Sequence, residues 1–514
     1  MRKTGLLIVF FLMTWLPMMG QQPDRVQGNP AADHSTVNPI EYGLLQAKDG
    51  KERYEILYAC HKDAFDYHRP LSYAGIDTIW LDIPDNAKSL PLPYITDFAG
   101  VVVFVANNSG KDITLFSLAG EQQAREVKVE RSQIDSGDFS YVDELQSGDY
   151  LLIVTDRNPW TERIGYGYTC KRQDLLYVRN GKSLNLPVAG YSNPAADPVC
   201  SFVPVSTERK TIENITIHRV RNCTNKTYCI SLSNQNNVLI RNVHITTPKG
   251  KFIADAAIGL TNCSNCTIEN VTIDSTYSVP GQYGYAIGMN NVWNTTFIRL
   301  KADGAWGVFG TNNVSKTTLR ECDVNRFDIH CYGRDAHLVN CVFRNKQTQF
   351  SSMYGKVIFD SCHFIDCIPV RIRSSYNAYT PFDIYFRHCV FDATLRYHAL
   401  VNVMLLAKEP NKRPELAARC WPNVYIEDLV VNLPFLTRRI DIISPSGTLS
   451  ECKKAVDYIS RVEINGLRTY RRGRPEYCDL YITKHRFFTK EPVRVNYKNM
   501  DIQNGRIVNL INAH

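Results

Sequence analysis

Asp328-Ile-His330 sets a carboxylate and an imidazole two residues apart, and Arg371-Ile-Arg373 repeats the spacing with two guanidinium groups. In a strand, residues two apart share a face, so each pair is presented together. Asp303 and Asp366 add carboxylates; Arg326, Arg344 and Lys346 add cations; Tyr283, Tyr285, Trp306 and Phe309 add rings. Such rings can lie against a pyranose face. Two chemistries suit this set. Elimination from a uronate needs a base for the C5 proton, a cation on the carboxylate and a proton donor for the leaving oxygen. His330 or a tyrosine would be the base, Arg371 or Arg373 the carboxylate partner, and Arg326 or Lys346 an assistant. Glycoside hydrolysis needs two carboxylates, about 5 to 5.5 Å apart for retention or about 6.5 to 9.5 Å for inversion. Asp328 with Asp303, or Asp328 with Asp366, would be that pair. Asp328, His330, Arg371, Asp303 and Asp366 are therefore the candidate catalytic residues. Tyr283, Tyr285, Trp306, Phe309, Arg326, Arg344, Lys346 and Arg373 are the candidate substrate contacts. The same set also suits a non-catalytic glycan-binding or adhesive protein.

These residues come together only if the chain repeats. Ile212-Glu-Asn-Ile-Thr-Ile217, Ile240-Arg-Asn-Val-His-Ile245 and Ile268-Glu-Asn-Val-Thr-Ile273 are copies of one string. Looser copies begin at Phe297, Leu319, Leu338, Phe359 and Phe386. A second string follows most copies, as in Ile230-Ser-Leu, Ile258-Gly-Leu and Ile287-Gly-Met. Each alternates with period two, the pattern of a half-buried strand. One such pair cannot bury its apolar side alone, whereas stacked copies can. The stacking predicts inward columns: Ile215, Val243, Val271, Leu300, Cys322, Cys341, Cys362, Cys389, and beside them Ile217, Ile245, Ile273, Ala302, Val324, Phe343, Phe364, Phe391. Asn234, Asn262, Asn291 and Asn312 read as a ladder of turn amides. Two outward columns follow from the second strand. One runs Ser231, Gly259, Gly288, Phe309, His330, Ser352, Arg371; the other runs Cys229, Ala257, Ala286, Gly307, Asp328, Phe350, Pro369. Small early residues leave a flat floor, and Asp328, His330 and Arg371 then cluster.

The Ile-x-Asn-Val-x-Ile coils, the asparagine ladder and the phenylalanine stacks resemble the right-handed parallel β-helix superfamily, which includes pectate lyases, polygalacturonases and phage tailspikes. The likeness covers roughly residues 205–470. It implies an all-β solenoid and a carbohydrate-active role. The Gly-His-Gly, Arg-x-Pro-x-x-Arg and Asp-Pro-His-Asp signatures of its catalytic families do not occur, so no particular activity is implied.

The remaining chain bounds this reading. Arg2 and Lys3 precede an apolar run from Leu6 to Leu16, with polar Gln21-Gln22 after Gly20. This is the pattern of a cleaved secretory leader over residues 1–20, placing the mature chain outside the cytoplasm or in the periplasm. No later segment is long and apolar enough to span a membrane. Residues 21–40 read as a disordered linker. Residues 41–204 read as a β-rich N-terminal cap and lead-in coils with an insertion, strand-rich from Tyr54 to Leu118. Residues 205–470 form the solenoid and 471–514 a C-terminal closing coil or tail. The 59 basic and 51 acidic residues leave a net charge of +8, which suits an acidic polysaccharide and is too weak for nucleic acid. The 16 cysteines include four in one inward column, whose parallel side chains suit neither disulfides nor zinc. The floor supplies too few acidic groups for calcium. No cofactor and no metal is expected.

Overall fold

A computed structural model describes residues 35–508 apart from 108, 121, 164–167, 193–195, 221–226, 248–255, 277–283, 305–306, 374–381, 405–421, 435, 437–438, 447–460, 476–477, 483–493 and 501–506. The leader expected over residues 1–20, residues 21–34, Tyr283 and Trp306 lie outside the described residues.

The alternating strings form parallel strands stacked in the expected register. Ile215 pairs with Val243 and Val243 with Val271, while Ile217, Ile245 and Ile273 align beside them. The second column continues through Ala302, Val324, Phe343, Phe364 and Phe391. All of these are buried. Burying each phenylalanine contributes about 2 to 3 kcal/mol, offset by ordering of the chain. Phe343 and Phe364 stack with centroids 5.4 Å apart. Cys322, Cys341, Cys362 and Cys389 fill the neighbouring column as free, buried thiols. The Cys322 thiol donates to the Arg320 carbonyl at 3.3 Å and the Cys389 thiol to the Arg387 carbonyl at 3.2 Å.

Asparagine ladders hold the corners. Asn262 Nδ2 donates to Asn234 Oδ1 at 3.0 Å, and Asn291 Nδ2 to Asn262 Oδ1 at 2.9 Å. Asn313, with φ 51°, rather than Asn312, stands in register beside Asn291, whose Oδ1 receives no ladder bond. A one-residue slip reverses the faces of a strand, and here Phe309 determines the register. Phe309 pairs with Ile287, and Gly310 with Gly288.

Two regions depart from the sequence reading. Residues 35–40 are not a linker: Val37 bridges Leu71 and is fully buried, and the Asn38 side chain caps the 3-10 turn that follows. Residues 50–66 form a helix, Gly50–Asp66, instead of strand. Asp49 accepts from the Lys51 and Glu52 amides, and the helix buries Tyr54, Leu57, Cys60 and Ala64 over the first coil. It thereby covers what would be an unpaired end of the stack. Beyond 470 the coils continue, since Arg494–Met500 pairs with Arg461–Arg471 and Asp479–Ile482 with Arg439–Ser446.

The insertion is an antiparallel five-stranded sheet between Arg125 and Pro204. It packs on the solenoid through Tyr177, stacked on Trp293 at 5.9 Å. Further ties run from the Gln173 amide to Asn313 Oδ1 at 3.4 Å and from Arg334 Nη1 to the Pro187 carbonyl at 3.2 Å.

Candidate functional site

The floor of the site is a column of small residues. Ser231 pairs with Gly259, Gly259 with Gly288, and Gly288 with Gly310. Two glycines make room for specific side chains. A Cβ at Gly310 would lie 2.7 Å from Tyr285 Cδ2, and one at Gly307 would lie 3.0 Å from Arg326 Cδ. The missing side chains therefore let the Tyr285 ring lie across one coil and the Arg326 stem across another.

Beyond this floor the face passes to a second parallel sheet, opened by Asp328–Ile329 and continued by Thr348–Phe350, Val370–Ile372 and Ala399–Met404. Ile329 and Phe350 turn inward. Asp328, Gln349, Arg371 and Asn402 consequently share one column on the opposite side. Arg371 thus stands in the Asp328 column, two coils away, not in the column expected for His330. The apolar ring of Phe350 fills the interior and displaces that register by one residue.

Asp328 is fully buried, forms an ion pair with Arg326, and has a carboxylate oxygen 3.3 Å from His330 Nε2. Burial opposes its ionisation, but Arg326 and then His330 outweigh burial and hold its carboxyl below the usual range. His330 Nε2 also lies 3.3 Å from the Tyr285 hydroxyl. Burial lowers the His330 pKa, Asp328 raises it, and Arg373 and Arg326 lower it further; the net shift is downward. The shift favours the neutral imidazole, which is able to accept a proton. Its backbone is pinned where the His330 amide donates to the Thr311 carbonyl at 2.9 Å.

Next to this chain of groups opens a cleft of about 470 Å³. Arg326, Lys346, Arg371, Arg373 and Arg396 line it, with Gln349, Tyr397 and Met404, and among the described residues its lining contains no carboxylate. Arg371 Nε is buried without a hydrogen-bond partner. Burial and then the neighbouring Arg373 and Arg326 push the Arg371 pKa down. A guanidinium so placed gains most from an incoming anion.

Of the other expected residues, Phe309 is fully buried and packs edge-on against Phe327 at 5.2 Å, so it presents no face to a ligand. Gly310 takes the outward place. Arg344 is paired with Asp323 at 2.8 Å, and Asp366 is exposed with φ 49° at a turn. The backbone of Asp303 lies on the strand Lys301–Gly304. Gln349, Arg396, Tyr397 and Met404 were not anticipated. Gln349 could have been placed from the inward requirement of Phe350. Residues 393–404 carry no copy of the repeat from which to set a register.

No protein-family model and no curated protein sequence matches the chain. Among solved structures it is similar to the Gp54 tailspike of Acinetobacter baumannii bacteriophage AP22, determined in complex with an A. baumannii capsular saccharide. The identity is 11%, the match covers 90% of this chain and 79% of the tailspike, and the TM-score is 0.50. The chain is a right-handed parallel β-helix protein. This β-helix is also similar to the tailspike protein gp49 of Pseudomonas phage LKA1, at 13% identity over 92% of this chain and 84% of the other, with a TM-score of 0.43. A hyperthermoactive exopolygalacturonase from Thermotoga maritima matches at 10% identity over 91% and 93%, with a TM-score of 0.31. Among the described residues, no helix of the β-helix protein is long and apolar enough to cross a membrane.

Proposed function

We propose that this β-helix binds a uronate-containing polysaccharide along the glycine floor and cleaves it by β-elimination. The observation that carries this reading is the cleft whose described lining holds five cations and no carboxylate, set beside Tyr285, His330 and Asp328. A uronate carboxylate lies on Arg371 and Arg373, and its neutralisation acidifies C5. Tyr285 takes the C5 proton as its own phenolic proton passes to His330. Asp328, fixed by Arg326, stabilises the imidazolium. The C5–H electrons form the C4=C5 bond, the C4–O bond breaks, and Lys346 supplies the proton to the leaving oxygen.

Hydrolysis would need a second carboxylate opposite Asp328. Asp328 is already matched by Arg326 and His330, and Asp366 is exposed at a turn. The capsular saccharide bound to the similar tailspike agrees with a glycan ligand here. The leader over residues 1–20 would deliver the protein to that polymer outside the cytoplasm. The test is incubation with a panel of uronate polymers and of neutral polymers, followed by ultraviolet absorbance. Absorbance rising with uronate polymers alone supports the reading. Binding without any cleavage would instead make the protein a glycan-binding or adhesive β-helix.

A further inference from the structure

We infer that Cys170 and Cys331 are joined by a disulfide that fastens the inserted sheet to the coil bearing His330. Cys170 lies on the insertion strand Tyr168–Arg179, and Cys331 opens the solenoid strand Cys331–Val339. They are 161 positions apart, yet their Sγ atoms lie 3.1 Å from one another. Unbonded heavy atoms of comparable size rest about 3.5 to 4.0 Å apart, so these two sulfurs are already inside ordinary contact.

Their surroundings differ from those of the stacked cysteines. Cys322, Cys341, Cys362 and Cys389 belong to the apolar interior of the solenoid, where their thiols reach backbone carbonyls. Cys331 belongs to a separate small cluster with Tyr332, into which Cys170, Ala189 and Tyr354 pack from the insertion and the next coil. Cys331 is 5% exposed and Cys170 half-buried. The pair is thus shielded once formed, and Cys170 is accessible enough to start the reaction. Other ties among the described residues are long hydrogen bonds from the Gln173 amide, Arg334 Nη1 and Asn236 Nδ2, and an apolar contact of Leu151, Leu175 and Tyr177 with Trp293. A covalent link here would fix the insertion against the solenoid and hold the backbone immediately after His330.

The oxidant is a disulfide, either a small molecule or a dithiol oxidoreductase of an oxidising compartment. The Cys170 thiolate attacks it, forming a mixed disulfide and releasing one thiol. The Cys331 thiolate then displaces the second thiol and forms the Cys170–Cys331 bond. Two protons and two electrons leave the protein, and the oxidant is reduced to two thiols. This inference does not depend on the reaction proposed above.

The test uses the full-length folded chain, exposed to oxidised glutathione, alkylated and digested without reductant. The expected result is one cross-linked pair of peptides carrying Cys170 and Cys331, which separates on reduction with a gain of about 2 Da, one hydrogen per sulfur. Cys170→Ser should abolish the pair and leave Cys331 alkylated, and Cys331→Ser should do the converse. Recovery of both cysteines as alkylated monomers from the oxidised parent chain would overturn the inference. So would a bond from either one to a different cysteine. The parent digest alone decides the matter if a variant fails to fold.

Discussion

Gly310→Ala isolates the placement of Tyr285 from its chemistry. The new Cβ would sit 2.7, 2.8 and 2.9 Å from Tyr285 Cδ2, Cγ and Cε2. Carbon atoms rest about 3.5 Å apart at closest, so the ring must withdraw by about 0.8 Å. The Tyr285 hydroxyl is already 3.3 Å from His330 Nε2, and that withdrawal ends the hydrogen bond. A misplacement near 1 Å costs roughly a hundredfold in rate. Gly310 is a strand residue outside the left-handed region, so alanine suits its backbone. Unfolding free energy should stay within about 1 kcal/mol of the parent. The assay is kcat on a uronate polymer by ultraviolet absorbance, with chemical denaturation in parallel. In a Tyr285→Ala background the Gly310→Ala change should cost nothing further, because the two act through one group. The reasoning fails if Gly310→Ala keeps the parental kcat. It fails equally if the variant loses a hundredfold in the Tyr285→Ala background too.

Arg371→Gln should weaken binding of a uronate oligosaccharide by about tenfold to a hundredfold, the worth of one charge-assisted hydrogen bond, and leave neutral glycans unaffected; calorimetric titration of both checks this. Asp328→Asn leaves Arg326 buried beside a neutral amide, so it should destabilise the fold by about 3 to 5 kcal/mol in urea and abolish turnover. His61 lies on the buried face of the helix Gly50–Asp66, with Nδ1 2.9 Å from the Pro91 carbonyl and Nε2 2.5 Å from the Tyr73 hydroxyl. Burial pushes its pKa down from 6.5 to about 4. The unfolded chain therefore binds the proton first. This contribution to stability is complete above pH 6.5 and is lost as pH falls toward about 4, a change of about 3 kcal/mol. His61→Gln should flatten that part of the urea-midpoint profile against pH.

The inward columns were legible in the sequence because repetition checks itself. Ile215, Val243 and Val271 each sit in the same string, and the structure pairs them as read. Register failed where the string changed size: Phe309 and Phe350 are large enough to claim the interior, and each reversed the expected faces nearby. The helix Gly50–Asp66 was signalled by Asp49 three residues before Glu52 and by buried Tyr54, Leu57, Cys60, His61 and Ala64. Cys60 and His61 are poor markers of an apolar stripe, which hid the period. Asp328, His330 and Arg326 meet because they lie on a single coil. Arg396 and Tyr397 reach the cleft from a later coil, outside any repeated string, so no spacing could place them.

The mass of the fragments released from a uronate polymer tests the central claim most directly. β-Elimination adds no water across the broken bond, so each new non-reducing end should be lighter by about 18 Da, one water, than a hydrolytic end. The account predicts such unsaturated ends from the parent chain and none from Tyr285→Phe or His330→Ala. Fragments of full hydrolytic mass, or an unshortened polymer, would contradict it.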